Sequence, residues 1–186
     1  MDNGLFAYVV QKHRATALHY DFRLEIGETM ASWSIPKGPT LDPALKRLAM
    51  PTGPHELEYR HFEGMIPGGR YGAGTVMIWD EGTYVPELEV RRGVRRIVAD
   101  RTEGQEVAQA GLREGNLKFT LFGSKLSGSF ALVRTKMAGP SHEAWLLIKH
   151  KDGSCRPGYD ANDYDESAVS HRTLAQIASA PLHDQQ

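Results

Sequence analysis

The chain has 186 residues, 40% hydrophobic and 24% charged, a composition that supports one packed core and excludes a disordered segment. A lone cysteine, Cys155, excludes both a disulfide scaffold and a thiolate zinc cage. The formal charge of −1 excludes whole-molecule attraction to nucleic acid or anionic membrane.

The opening Met1-Asp2-Asn3-Gly4 has neither a basic n-region nor an apolar run. No stretch approaches the roughly 18 apolar residues of a membrane span. A cytoplasmic protein without membrane contact is expected. With 19 Gly and 10 Pro, turns are favoured over long helices.

Strand signals dominate from the start. Phe6 to Val10 is apolar and β-rich. In Leu18 to Ile26, Leu18, Tyr20, Phe22, Leu24 and Ile26 face one way and His19, Asp21, Arg23 and Glu25 the other, because strand side chains alternate. Gly27-Glu28 marks a turn and Met30 to Ile35 a return strand. Pro36 to Pro54 reads as a Pro/Gly-rich connection with a short apolar piece at Leu45 to Met50. Pro67 to Gly74 reads as another connection. Gly74 to Asp80 is a strand, Asp80-Glu81-Gly82 a turn and Thr83 to Val85 its return.

Residues 86–101 hold Arg91, Arg92, Arg95, Arg96 and Arg101, and residues 103–114 form the main helix. Strands follow at Lys118 to Phe122, Ser129 to Arg134 and Ala144 to Lys149. From 152 to 169 the chain is acidic, rich in Tyr and Asp, and linker-like. A short helix follows, with Thr173 and Gln176 placed as a capping box. The expected organisation is a domain over residues 1–151 and an acidic tail over 152–186. Many short strands with one or two short helices predict a mainly β protein, a barrel or a sandwich.

The segment that carries chemistry is His13-x5-His19-x-Asp21-x-Arg23. His19, Asp21 and Arg23 share a strand face, and His13 lies where the preceding strand or turn can fold back beside them. Two imidazoles and a carboxylate suit a divalent transition metal of the manganese, iron or zinc type. Arg23 offers a planar fork for phosphate. The bland alternative is that His-x-Asp-x-Arg is only the polar outer face of a half-buried strand.

Further polar residues lie in irregular segments: Lys37 between prolines, Arg47 after Lys46, and His55 and Tyr59 four apart. His61, His142, His150, His171 and His183 read as surface or core residues. The glycines of Gly68 to Gly74 lack the Lys-Ser/Thr ending of a phosphate loop and precede a strand rather than a helix, so they read as turn residues. No Gly-x-Ser-x-Gly elbow exists, and Cys155 has no base nearby in the sequence.

Val10-Gln11-Lys12-His13-Arg14-Ala15 through Leu18-His19-Tyr20-Asp21-Phe22-Arg23-Leu24 resembles the opening of the 3′-phosphoesterase domain of bacterial DNA ligase D. The resemblance continues through Ser32-Trp33-Ser34-Ile35-Pro36-Lys37-Gly38-Pro39, Phe62-Glu63-Gly64-Met65-Ile66-Pro67 and Tyr71-Gly72-Ala73-Gly74-Thr75-Val76. It returns at Trp145-Leu146-Leu147-Ile148-Lys149 and covers roughly residues 5–150.

The resemblance implies a small closed β-barrel with a manganese site that processes DNA 3′ ends in non-homologous end joining. It implies His13, His19 and Asp21 as metal ligands. It implies Arg23, Arg47 and His55 as the residues that hold or polarise phosphate, with Lys37 and Tyr59 completing the pocket. The family trims a 3′-terminal ribonucleotide and then removes the remaining 3′-phosphate from primer–template DNA or DNA/RNA ends. No covalent nucleophile is apparent, which suits direct attack by water.

Two departures bear on the trimming step. The family's N-terminal Arg-Asp-Phe arm has no counterpart, and Thr52-Gly53-Pro54 stands where acidic residues usually precede the histidine at 55. A third departure is the length of the arginine-rich stretch. The sequence reads as a free-standing form, so a ligase, polymerase or end-binding protein would act in trans. Two other readings stay open on the residues alone. His19-x-Asp21 with a distant His is also the pattern of a non-haem iron oxygenase barrel. Arg91 to Arg96 with exposed aromatics would suit a non-catalytic nucleic-acid-binding barrel.

Overall fold

The computed structural model describes residues 4–136 and 143–180; His142 and His183 fall outside the described residues. Strands β1 (Phe6–Arg14), β2 (Leu18–Ile26), β3 (Thr29–Ile35) and β4 (Lys46–Glu56) form an antiparallel meander. A 3-10 turn (Leu57–His61), β5 (Gly64–Ile66), the long β6 (Gly74–Arg91) and β7 (Val94–Ile97) follow. Helix α1 (Arg101–Glu114), β8 (Asn116–Gly123), β9 (Ser127–Arg134), β10 (Trp145–Lys149), a second 3-10 turn (Ala161–Asp163) and the short α2 (Leu174–Ala178) complete the described elements.

The strands pair in the order β1-β2-β3-β4-β10-β9-β8-β6, and β6 pairs back onto β1. The sheet is therefore a closed barrel, which removes its edges. β5 and β7 hang on β6 outside this ring. The interior is aromatic: Trp33, Trp79 and Trp145 are buried with Phe22, Phe119, Phe130, Tyr8 and Tyr84. Phe6, Tyr8 and Val10 of β1 and Tyr20, Phe22, Leu24 and Ile26 of β2 fill that interior, so the odd-numbered residues between them stand on the outer face.

Three expectations are corrected. Asp80-Glu81-Gly82 is not a turn but the middle of β6, beside a register shift against β1 at Val10/Gln11. Asp80 is buried there and accepts hydrogen bonds from the Tyr8 hydroxyl and the backbone amides of Lys125 and Leu126. Gly82 is required by close packing, since a Cβ would stand 2.1 Å from the Phe122 carbonyl oxygen.

The connection expected through Pro54 is in fact β4 from Lys46 onward. Its pairing with β10 ends at Ala49, so Pro51 and Pro54 lie where the strand has β3 on one side only. A missing N–H is tolerated at such a position.

The linker-like segment instead covers the barrel. Tyr159 and Ala161 join the core, Tyr20 donates to Asn162, Trp79 donates to the Tyr164 carbonyl, and Ala168 donates to the Ile78 carbonyl. α2 adds Leu174 and Ile177 to the core, with the Thr173/Gln176 capping box present. No helix among the described residues is long and apolar enough to cross a membrane.

Candidate active site

β1 and β2 pair in a register that sets His13 opposite His19 and Gln11 opposite Asp21. All four side chains project from the outer face of the barrel. His13 Nδ1 lies 3.6 Å and His19 Nε2 3.3 Å from the same Asp21 oxygen, Oδ2, and the imidazole centroids are 4.9 Å apart. One donor atom from each of His13, His19 and Asp21 falls within 4.8 Å of the others. The Nε2 of His13 is buried without a hydrogen-bond partner. Such an orphaned nitrogen, beside a second imidazole and a carboxylate, fits a divalent transition metal.

Arg23 is 3% exposed, and each of its three nitrogens has a partner. Its Nε donates to Gln11 Oε1 at 2.7 Å, and Nη1 donates to Ser32 Oγ and His55 Nδ1, both at 2.9 Å. Nη2 stands 3.3 Å from Asp21 Oδ2. Gln11 in turn donates to the carbonyls of Tyr59 and Phe62, tying the 3-10 turn to β1. Tyr59 packs between His55 and Phe62, with the Arg23 guanidinium 5.1 Å from its ring centroid.

Electrostatics follow from these contacts. Burial alone would raise the Asp21 carboxyl, but hydrogen bonds from His13 and His19 and the Arg23 charge hold it well below the usual range. The Asp21 hydrogen bond raises His19. Burial, then the Arg23 charge, lowers His55. Burial raises the Tyr59 phenol. His55 Nδ1 also lies 3.0 Å from the Gly53 carbonyl, a contact that competes with Arg23 for the same nitrogen. A guanidinium only donates and a carbonyl only accepts, so the two contacts select opposite tautomers: the Arg23 contact places the imidazole proton on Nε2, the Gly53 contact on Nδ1.

His13, His19, Asp21, Arg23, His55 and Tyr59 line one cleft of about 440 Å³, together with Thr52 and Tyr71. Lys37 and Arg47 are not among its lining residues. Lys37 is exposed in the turn after β3. Arg47 pairs with Leu147 across β4 and β10, on the barrel-facing side shared with Ala49, and its Nε is buried without a hydrogen-bond partner. Gln11 and Ser32 were not singled out by sequence reasoning. The signal for Gln11 was its strand phase with His13, two residues on. Ser32 is brought to Arg23 only by the β2–β3 register.

The DNA ligase D 3′-phosphoesterase domain family matches residues 11–134, which include the cleft residues named above. The chain is 45% identical over 174 residues to the "Multifunctional non-homologous end joining protein LigD" of Pseudomonas aeruginosa, covering 92% of this chain and 18% of that protein. It is 32% identical over 173 residues to the "Multifunctional non-homologous end joining DNA repair protein LigD" of Mycobacterium tuberculosis, covering 93% of this chain and 20% of that protein. Over 145 residues it is 37% identical to the Mycolicibacterium smegmatis protein, covering 78% and 17%. The chain thus spans about a fifth of the length of these relatives. With the family match running through β1 to β9 and near-complete coverage of the chain by its relatives, this protein belongs to the DNA ligase D 3′-phosphoesterase domain family.

Proposed function

We propose that the protein is a metal-dependent phosphoesterase of DNA 3′ ends, which removes a 3′-phosphate to leave a 3′-hydroxyl for end joining. The observation that supports this reading best is the convergence of His13, His19 and Asp21 on one point beside the buried Arg23 fork. A 3′-phosphate carries nearly two negative charges, and this cleft offers cationic groups at close range. The substrate would be a primer–template end of DNA or DNA/RNA, with a ligase, polymerase or end-binding protein acting with it in a cytoplasmic repair pathway.

His13, His19 and Asp21 would hold the metal, with manganese the expected ion. When bound, such an ion supplies Lewis-acid stabilisation of charge on a phosphoryl oxygen. Asp21 stays ionised at neutral pH. Arg23, held in plane by Gln11 and Ser32, presents fixed positive charge to the phosphate. In the hydrolysis a bond forms from water oxygen to phosphorus and the bond from phosphorus to the 3′ oxygen breaks. In the tautomer that the Arg23 contact selects, His55 would carry its proton on Nε2, where it could be donated to a phosphate oxygen or to the departing 3′ oxygen. Tyr59 fixes the plane of His55 and would border the phosphate. Lys37 and Arg47 do not line the cleft itself, and we propose them, as the family resemblance implies, as outer contacts to the phosphate. Residues 1–151 would carry this activity, with the acidic tail closing the barrel.

The test is release of inorganic phosphate from a primer–template ending in a 3′-phosphate. Manganese-dependent release, lost on chelation and in His19→Ala, is expected. No release with manganese, iron or zinc would overturn the reading.

A further inference from the structure

Tyr71 is 97% exposed, far more than any other large hydrophobic side chain described; the next, Val90, is 54% exposed. Among the described residues it makes no hydrogen bond, ring contact or cation–π contact. Yet it lines the same cleft as His13, Asp21 and Arg23. An aromatic ring left in water beside a charged cleft offers a free face at the mouth of the site.

The loop that carries it is fixed close to the chemistry. Gly72 and Gly74 have φ of 75° and 136°, conformations that side chains rarely adopt. A Cβ on Gly72 would stand 3.9 Å from His13 Cε1, and one on Gly74 would stand 2.0 Å from the Arg14 carbonyl oxygen. The chain after Tyr71 is therefore seated against the end of β1. Before Tyr71 the loop is open, since nothing lies within 4 Å of a Cβ on Gly68 or Gly69. The ring is thus anchored at one side by backbone next to His13 and faces open space on the other.

We propose that Tyr71 is the platform on which the nucleobase of the terminal nucleotide stacks while its 3′-phosphate sits in the cleft. The inference rests on the proposed 3′-end activity and deepens it. The phosphate fixes one end of the nucleotide at Arg23. A π face at the mouth takes the base, and every base has a π face, so the contact tolerates sequence. It makes the cleft selective for nucleotide ends over phosphomonoesters that carry no base.

The experiment is a double-mutant cycle with manganese-loaded protein. The two proteins are wild type and Tyr71→Ala. The two substrates are a 3′-phosphate primer–template with a normal terminal base and one with an abasic terminal nucleotide. Tyr71→Ala should raise KM for the normal end by about five- to a hundredfold, with kcat near the wild-type value, and Tyr71→Trp should restore KM. Wild type on the abasic end should match Tyr71→Ala on the normal end, and Tyr71→Ala should lose nothing further on the abasic end. Without turnover, a terminal 2-aminopurine should be quenched on binding wild type under chelation and unquenched with Tyr71→Ala. Equal KM of wild type for normal and abasic ends, or an unchanged KM in Tyr71→Ala, overturns the stacking role and leaves the phosphoesterase reading standing. No phosphate release from either end overturns both.

Discussion

Arg23 Nη1 donates to His55 Nδ1 across 2.9 Å, joining a buried cation to the imidazole of the cleft through that ring's acceptor nitrogen. Protonation of Nδ1 would set two N–H groups against each other. His55 is accordingly lowered from its ordinary 6.5, first by burial and then by the Arg23 charge. In the metal-free protein its ring should titrate below pH 6.5 by NMR, and Arg23→Gln should move the titration up. The sign for stability follows: a depressed folded-state value means that the neutral ring's contribution is complete above about pH 6.5 and is lost as pH falls. A His55 titration at or above 6.5 would contradict the contact.

The metal assignment has a readout that needs no catalysis. A ligand that binds only the folded state, at about 100 times its Kd, adds about 2.7 kcal/mol of stability. Manganese should therefore raise the Tm of the wild-type protein. His13→Ala and Asp21→Asn, each missing one of three donors, should show little or no gain. An undiminished manganese shift in both variants would remove these residues from the site.

Lys149 gives a test of the fold apart from the cleft. Its side chain is fully buried, and Nζ donates to Asp152 Oδ1 at 2.8 Å and to the backbone carbonyls of Ser129 and His150. Asp152→Ala should cost about 1.5–3 kcal/mol in chemical denaturation, the range for a charged hydrogen bond. Burial alone would raise the Asp152 carboxyl, but Lys149, the Ser129 amide and Ser154 hold it well below the usual range. Its contribution is therefore complete above the ordinary carboxylate value of about 3.9 and is lost as pH falls. The stability gap between wild type and variant should be full at pH 7, begin to narrow by pH 3, and close only at the still lower pH where the folded-state carboxyl is protonated.

Four of the five arginines of residues 86–101 lie on the β6–β7 hairpin, with Arg101 opening α1, and those four are not equivalent. Arg95 pairs with Glu87 at 3.0 Å and Arg96 with Glu103 at 2.5 Å. Arg91 and Arg92 stand exposed at the tip beside Gly93. If the hairpin touches DNA, the tip pair carries the contact. Arg91→Ser/Arg92→Ser should then flatten the salt dependence of DNA binding by about 0.9 per lost phosphate contact and leave kcat unchanged. Arg95→Ser should lower stability instead. An unchanged salt slope in the double variant would make the hairpin a solvated arm.

What the sequence showed and what it hid divide along physical lines. The His19, Asp21, Arg23 face was legible because alternation in β2 is strict and local. Helix α1 was legible from its pattern, and its ends are fixed by the Asp100 N-cap and by Gly115 in the left-handed region. β4 was hidden by Pro51 and Pro54, whose cost vanishes only because β10 stops at Ala49, a fact of topology. The path through Asp80 to Gly82 was hidden because turn-forming residues there serve a buried hydrogen-bond centre. The covering role of the tail depends on Tyr159 and Ala161 meeting the barrel end, and their acidic neighbours mask that in composition. Gln11 depends on partners about 50 residues away in sequence.

The final prediction separates phosphate removal from ribonucleotide trimming. The groups assigned to phosphate, Arg23 and His55, are in place, and Thr52 lines the cleft beside them. Trimming must also position the terminal ribose, and the family resemblance leads one to expect acidic side chains just before His55. Here Gly53 stands there with nothing within 4 Å of a Cβ, so the position has room for a carboxylate but carries none. Release of a 3′-terminal ribonucleotide should be weak in the wild-type protein while 3′-phosphate release is robust, since misplacing a reacting group by about 1 Å costs roughly a hundredfold. Gly53→Glu should raise ribonucleotide release by about tenfold or more and leave phosphate release within about twofold, because an acid added at the ribose strengthens only the step that involves it. The measurement uses two primers on one template, one ending in a 3′-phosphate and one in a single ribonucleotide. Equal turnover of both by the wild-type protein would show that the bare Gly53-Pro54 segment costs the trimming step nothing.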